Sequence, residues 1–143
     1  MASHKLPIFS LVILRKNDHV LLLKRAPNAA FAPNEYCMVG GAVEHLETFR
    51  QAIVREAKEE VGITINPENL NFVHIFYKQT DGVELVVCAF ECHIWEGEPT
   101  NIEPHKHTEL LWADENTLPD NMLSAHRSAL EYIKKNIHYS EQK

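Results

Sequence analysis

The chain has 143 residues, of which 45% are hydrophobic and 24% charged, and its formal net charge is −6. This length is sufficient for one domain with a buried core, and we interpret residues 1–143 as a single domain. No run of basic residues is longer than a pair, whereas proteins that bind nucleic-acid polymers cluster Lys and Arg, so no polymer partner is expected.

Cysteine usage and the amino end bear on the compartment. Cys37, Cys88 and Cys92 are odd in number and form no CxxC pair, which argues against a disulfide framework and favours a reducing cytoplasm. The first apolar run has about seven residues, too few for a membrane span or a signal sequence. A cytoplasmic protein without a membrane partner is therefore predicted, and its oligomeric state stays open.

The first third of the chain predicts a β-hairpin followed by a loop. Ile8–Leu14 and His19–Lys24 are apolar, partly alternating runs on either side of a turn-like Lys-Asn-Asp sequence. Arg25–Glu35 contains two prolines and two asparagines, which favours a loop. Tyr36–Val39 is predicted as a short strand that ends on Gly40-Gly41.

The middle and the end of the chain predict two helices and three more strands. The first helix spans Thr48–Val61, with Thr48 as its N-cap and Gly62 as its stop. Leu70–Lys78 and Val83–Trp95 are predicted strands joined by a turn at Asp81-Gly82. Gly97–His107 is a polar loop, Glu109–Ala113 a short strand and Ser124–Ile137 an amphipathic helix. Strands on both sides of a central helix predict an α/β fold.

Three carboxylates of the first helix lie close together. Glu56, Glu59 and Glu60 fall within an arc of roughly 100° at the helical repeat, beside an apolar stripe that would face the core. Like charges at these spacings destabilise a helix by a few tenths of a kcal/mol per pair, unless a cation lies between them. Hard divalent cations such as Mg²⁺ or Mn²⁺ prefer oxygen ligands. The sequence therefore predicts a metal site on this helix.

The same stretch resembles the signature of the Nudix hydrolases, G-x5-E-x7-R-E-U-x-E-E-x-G-U, where U is a bulky aliphatic residue. The match extends over residues 41–63 and includes Gly41, Glu47, Arg55-Glu56, Glu59-Glu60 and Gly62-Ile63. Three nearby positions depart from the commoner pattern. Ala57 replaces the bulky aliphatic residue, and Val39 and Leu46 lie where many members carry proline and glycine.

The resemblance implies the Nudix fold, an α/β/α sandwich around a mixed β-sheet, and a role for each matching residue. Glu56, Glu59 and Glu60 would bind Mg²⁺ or Mn²⁺ together with the Gly40 carbonyl. Arg55 would orient the glutamates, with Glu47 as its partner. Either Glu59 or Glu56 would act as the general base that takes a proton from the attacking water.

Three residues outside the signature at 41–63 receive roles from the narrower resemblance to the MutT-like members, and Lys106 is a further candidate on account of its charge. Alignment of the WEGEP sequence at Trp95 places Glu103 at an additional metal-binding glutamate, with Glu98 and Glu109 as competing candidates. Arg25, Lys106 and Asn121 would bind the substrate. Arg25 would contact the nucleotide, with a surface arginine at a strand end as the alternative. Asn121 would contact the base, with a turn or cap residue as the alternative. Lys106 could reach a phosphate.

The predicted activity is metal-dependent hydrolysis of a phosphoanhydride in a nucleoside diphosphate-linked substrate, in the first place a nucleoside triphosphate. An ADP-ribose or nucleotide-sugar pyrophosphatase is the alternative within the family. A Nudix module that senses a nucleotide without cleaving it is the alternative from another class. Trp95 and Trp112 flank the polar loop, where packing at strand ends is a simpler role than stacking on a base.

Overall fold

The computed structural model describes residues 4–143, which form eight strands, two α-helices and one short 3-10 turn. The strands are β1 Ile8–Lys16, β2 His19–Arg25, β3 Tyr36–Cys37, β4 Val39–Ala42, β5 Asn71–Thr80, β6 Val83–Cys92, β7 His107–Asp114 and β8 Tyr139–Gln142. The helices are α1 Phe49–Val61 and α2 Ser124–Lys134, and the 3-10 turn is Pro67–Asn69. Neither helix in this part of the chain has the length and apolarity needed to cross a membrane.

Strand β1 lies at the centre of a mixed sheet and pairs with three neighbours. It runs parallel to β6 and antiparallel to β4, while β5 and β8 extend the sheet beyond β6. Its pairing with β2 is limited to Arg15 with Val20 and Lys16 with His19. The predicted hairpin therefore exists only at its turn, because β2 separates from β1 and pairs with β3 and β7 instead.

Alternating residues of the sheet enter two separate cores, one under each helix. Val12 and Leu14 of β1 pack on the α1 side with Ile53, Ala57 and Val61. Leu11 and Ile13 pack on the α2 side, in a cluster that includes Ala125, Ala129 and Leu130. A twofold side-chain alternation in β1 thus gives the predicted α/β/α sandwich around a mixed sheet.

Helix α1 has the predicted bounds. The Thr48 side chain accepts a hydrogen bond from the backbone N–H of Gln51, whose own side chain accepts from the Thr48 N–H. Gly62 ends the helix with φ 75°, a left-handed conformation that glycine adopts without strain. The Ser10 hydroxyl donates to the Phe49 carbonyl at 2.7 Å and fixes the first turn on β1.

Several other elements differ from their predicted bounds. The strand before the helix breaks at Met38 and continues as β4 through both glycines to Ala42. It can do so because Gly40 lies so close to β1 that an added Cβ would be 2.4 Å from the Ser10 carbonyl oxygen. Helix α2 ends at Lys134, before the predicted Ile137, and β8 was not predicted because its residues lack an apolar alternation.

Leu46 should be replaceable by glycine with a gain in stability. Its side chain is 91% exposed and its backbone has φ 60°, so the leucine contributes little burial and occupies a conformation unfavourable for residues with a Cβ. We expect Leu46→Gly to raise the free energy of unfolding by about 0.5–1 kcal/mol. Urea unfolding of both proteins tests this. Leu46→Ala keeps a Cβ and should show no gain, and an equal gain there would refute the backbone explanation.

Candidate active site

Arg55 of α1 is the centre of a network that joins three carboxylates to the loop before the helix. Its Nε and Nη2 atoms donate to the two oxygens of Glu47 at 2.8 and 3.0 Å, and Nη2 also donates to the Ala42 carbonyl at 3.0 Å. Nη1 donates to Glu56 at 2.9 Å and to Glu59 at 3.2 Å. Hydrogen bonds from Arg55 and from the Glu44 backbone lower the pKa of Glu47. Glu47 therefore holds the planar guanidinium against the helix.

Glu56 and Glu60 share a confined space beside β4. Glu60 is only 7% exposed, and burial together with the charge of Glu56 raises its pKa well above the ordinary value. Burial also raises the pKa of Glu56, although Arg55 opposes the shift. A Cβ added to Gly41 would lie 2.3 Å from a carboxylate oxygen of Glu56, so glycine leaves the room that this carboxylate occupies. Buried Glu60 and half-buried Glu56 are thus an unfavourable arrangement of neighbouring like charges, which Arg55 offsets at Glu56 only.

The polar loop before β7 brings Glu103 and Lys106 to the same place. The Ile102 N–H donates to the Glu60 carbonyl at 3.3 Å, which docks the loop on the end of α1. The charge of Glu103 contributes to the raised pKa of Glu60. Lys106 lies 3.2 Å from Glu103, whose hydrogen bond and charge raise the pKa of Lys106, with smaller contributions from Glu56 and Glu60. A cluster of carboxylates thus has one lysine at its edge.

The two competitors of Glu103 lie elsewhere. Glu98 lines a cavity with Trp95 and Trp112, and Glu109 interacts with the hydroxyl of Tyr36. Of the three glutamates, Glu103 is the one whose charge acts on Glu60.

Arg25 and Asn121 border the loop that follows β2. The Arg25 Nε donates to the Phe31 carbonyl at 2.6 Å, and its guanidinium lies 5.6 Å from the centre of the Phe31 ring. The charges of Glu60 and Arg25 both act on the thiol of Cys37, so each of these side chains lies in the neighbourhood of Cys37. Asn121 is exposed, and its side chain donates to the Asn34 carbonyl at 2.8 Å, across β3 from Arg25.

Two polar residues near the site carry no motif and were not predicted. The Asn101 side chain donates to the His107 carbonyl at 2.7 Å and ties together the two ends of the segment that contains Glu103. His107 is buried, and neither its Nδ1 nor the Asn101 Oδ1 has a hydrogen-bond partner in the described chain. The sequence prediction placed His107 in the solvated polar loop Gly97–His107, whereas the structure buries it as the first residue of β7.

The donor set has the chemistry of a hard-cation site. In residues 4–143, no group of three or more His, Cys, Asp or Glu side chains is arranged so that it could hold a metal ion. Arg55 is the cation that Glu56 and Glu59 contact in this arrangement. Glu60 is nevertheless buried beside the backbone of Gly40, and within residues 4–143 it forms no ion pair, whereas Glu56 is paired with Arg55. Carboxylate oxygens are the ligand type that hard divalent cations prefer.

His126 of α2 holds the backbone of Met38, the residue just before β4, and protonation of His126 should destabilise the protein. Its Nδ1 accepts the Met38 N–H at 3.0 Å, and burial first, then Arg25 and Lys78, lowers its pKa to about 4. The unfolded chain takes up this proton near pH 6.5 and the folded chain only near 4, so stability falls as pH decreases between these values. We expect a loss of at most ~3 kcal/mol over that window.

His126→Asn provides the test, because Asn Oδ1 can accept the same N–H but does not titrate. Urea unfolding at pH 7 and at pH 4.5 should show a smaller pH dependence in the variant. The raised pKa values of Glu56 and Glu60 make stability rise as pH decreases, and they do so equally in both proteins. The difference in pH dependence between the wild type and the variant therefore isolates His126. The exposed His19, replaced in the same way, serves as the control, and equal effects would contradict the assignment.

Comparison with known sequences agrees with this geometry. The profile of the NUDIX domain matches residues 4–133. An 8-oxo-dGTP diphosphatase from Escherichia coli K12 is 34% identical over 95 residues, which are 66% of this chain and 71% of that protein. A NAD-capped RNA hydrolase NudC from Stutzerimonas stutzeri is 41% identical over 58 residues, but these cover only 20% of its length.

Solved structures resemble the fold over nearly the whole chain. The crystal structure of a MutT NUDIX hydrolase from Burkholderia pseudomallei superposes with a TM-score of 0.82 and 27% identity, covering 90% of this chain and 98% of the other. The fold of this chain is therefore shared with a protein of that description.

Proposed function

The chain belongs to the NUDIX family of pyrophosphohydrolases, and on that basis we propose that it hydrolyses a nucleoside triphosphate to the monophosphate and pyrophosphate. The observation that carries the proposal is the confined pair Glu56 and Glu60, with Glu103 beside it and Lys106 at its edge. Such a site suits a polyphosphate accompanied by divalent cations. The name of the Escherichia coli relative, an 8-oxo-dGTP diphosphatase, supports a triphosphate as the substrate class.

We assign the cation ligands to Glu56, Glu59, Glu60 and Glu103, with the Gly40 carbonyl. A bound Mg²⁺ or Mn²⁺ would neutralise the polyphosphate and make both the phosphorus and the attacking water more reactive. The specific metal is part of the proposal. The three cysteines are all free and buried, which supports a reducing cytoplasm as the compartment.

We assign substrate binding and proton transfer to side chains of the protein itself. Lys106 would contact a phosphate and Arg25 the nucleotide, while Asn121 would contact the base. Water attacks phosphorus, its proton passes to a carboxylate, and the P–O bond of the α,β-anhydride breaks, so that either pyrophosphate or the nucleoside monophosphate leaves. Glu59 is the preferred base, because its side chain is 53% exposed and Arg55 holds it at 3.2 Å. Glu56 is the alternative, at 2.9 Å from the same guanidinium.

A substrate panel tests the proposal. Nucleoside triphosphates, oxidised purine triphosphates, ADP-ribose, nucleotide sugars and NAD would each be incubated with Mg²⁺ or Mn²⁺, and the products separated by chromatography. Fastest turnover of a triphosphate to monophosphate and pyrophosphate supports the proposal. Fastest turnover of ADP-ribose or a nucleotide sugar would show that this compound class, and not the triphosphates, is the substrate. Tight binding of one compound without turnover of any would indicate a sensing module. Isotopically labelled water then identifies the phosphorus attacked.

A further inference from the structure

A cavity of about 420 Å³ lies beside the turn of β1 and β2, apart from the carboxylates. Its walls include Lys16, Asn17, His93, Trp95, Glu98 and Trp112. None of its lining residues belongs to the Nudix signature at 41–63 or to the site assigned to the substrate. Its volume is within the range of cavities that hold small ligands, so it is large enough for a ligand of its own.

The aromatic part of the cavity is formed by both tryptophans of the chain. The indole rings of Trp95 and Trp112 lie 6.2 Å apart between centroids, and their planes differ by 14°. Both residues pack against the core under α1 but remain partly exposed where they line the cavity. Two nearly parallel rings with accessible surface form a platform on which a planar base can stack, an interaction that depends little on base identity.

One cation at the cavity is available to a ligand and another is not. Lys16 Nζ lies 5.9 Å from the centre of the Trp112 ring, near the outer limit of a cation–π contact, and forms no ion pair within residues 4–143. The Arg15 guanidinium, by contrast, is bound by Glu115 at 2.7 Å and Glu91 at 3.0 Å. A single free ammonium in a cavity that Glu98 also lines suits one phosphate better than a polyphosphate.

We propose that this cavity is a second nucleotide site, which binds a nucleoside monophosphate. The base stacks on Trp95 and Trp112, the phosphate contacts Lys16, and Asn17 and His93 supply hydrogen bonds at the rim. The site is independent of hydrolysis and of the proposed substrate, because it shares no residue with the carboxylate cluster. A monophosphate is also the product class of the proposed reaction, so the second site would respond to accumulated product.

Tryptophan fluorescence gives a local test, because the chain has only two tryptophans and both line the cavity. AMP and GMP would be titrated into the full chain in EDTA, with adenosine and inorganic phosphate as partial ligands. We expect saturable quenching by the monophosphates. Calorimetry should show binding to Trp95→Ala weakened by about tenfold or more, and Trp95→Phe should retain most of the affinity. Lys16→Ala should bind a few-fold more weakly.

Arg25→Ala is the matched control, because Arg25 is assigned to the other nucleotide site. Quenching should be unchanged in this variant, and thermal unfolding of each variant verifies that it is folded. Absence of saturable quenching by any monophosphate would overturn the proposal. So would the reverse pattern, in which Arg25→Ala abolishes binding while Lys16→Ala and Trp95→Ala bind as the wild type does. Loss of hydrolysis on the substrate panel would leave the fluorescence result unaffected, so the two proposals fail separately.

Discussion

Replacing Glu60 with glutamine is expected to lower hydrolysis by at least ~100-fold while making the metal-free protein more stable. Burial and the charges of Glu56 and Glu103 raise the pKa of Glu60, so its ionised form is unfavourable in the folded chain. Glutamine has the same shape without the charge. A carboxyl group with a raised pKa in the folded chain lowers stability as pH rises. Glutamine removes this loss, so the free energy of unfolding should increase by about 1–3 kcal/mol near neutral pH.

The two effects must occur together to support the assignment. Turnover of the best substrate would be measured with Mg²⁺, and urea unfolding in EDTA. Glu131→Gln, an exposed position on α2, is the matched control and should change neither quantity. Full activity in Glu60→Gln would show that hydrolysis does not require this carboxylate. Lower activity together with lower stability would instead indicate that Glu60 has a structural role in the fold.

Helix α1 could be predicted from sequence because its signals are local. Thr48 and Gln51 form a capping box within four residues, and Gly62 supplies the left-handed conformation at the other end. The relative positions of Arg55, Glu56 and Glu59 follow from helical geometry alone. The contact between Arg55 and Glu47 was assigned by resemblance, and the structure places the two side chains 2.8 Å apart.

Long-range pairing could not be predicted in the same way. The apolar runs of β1 and β2 indicate two strands and a turn, but nothing local indicates that β1 pairs mainly with β4 and β6. That choice depends on the total burial available on both faces of the sheet. Lys106 and Glu103 were individually proposed, yet their proximity to Glu60 depends on how the polar loop docks on α1. The contact between His126 and Met38 spans 88 residues and has no sequence signal.

Replacing Arg55 with lysine is expected to lower activity by about 10- to 100-fold and the free energy of unfolding by ~1–3 kcal/mol. Lysine keeps the charge, but it cannot donate in parallel to both oxygens of Glu47 and also reach Glu56. The loop before α1 would lose its fixed attachment to the helix. The carboxylates would keep their identity but lose their orientation, so turnover should fall more than nucleotide binding does.

Arg50→Lys is the matched control on the same helix. Arg50 donates to the Leu70 carbonyl at 2.7 Å and lies 5.0 Å from the centre of the Phe90 ring, away from the carboxylates. Its replacement should reduce stability and leave turnover per folded molecule unchanged. Steady-state kinetics and urea unfolding of both variants separate the two roles. If Arg50→Lys lowers turnover as much as Arg55→Lys does, the loss reflects general destabilisation of α1, and the positioning role of Arg55 is refuted.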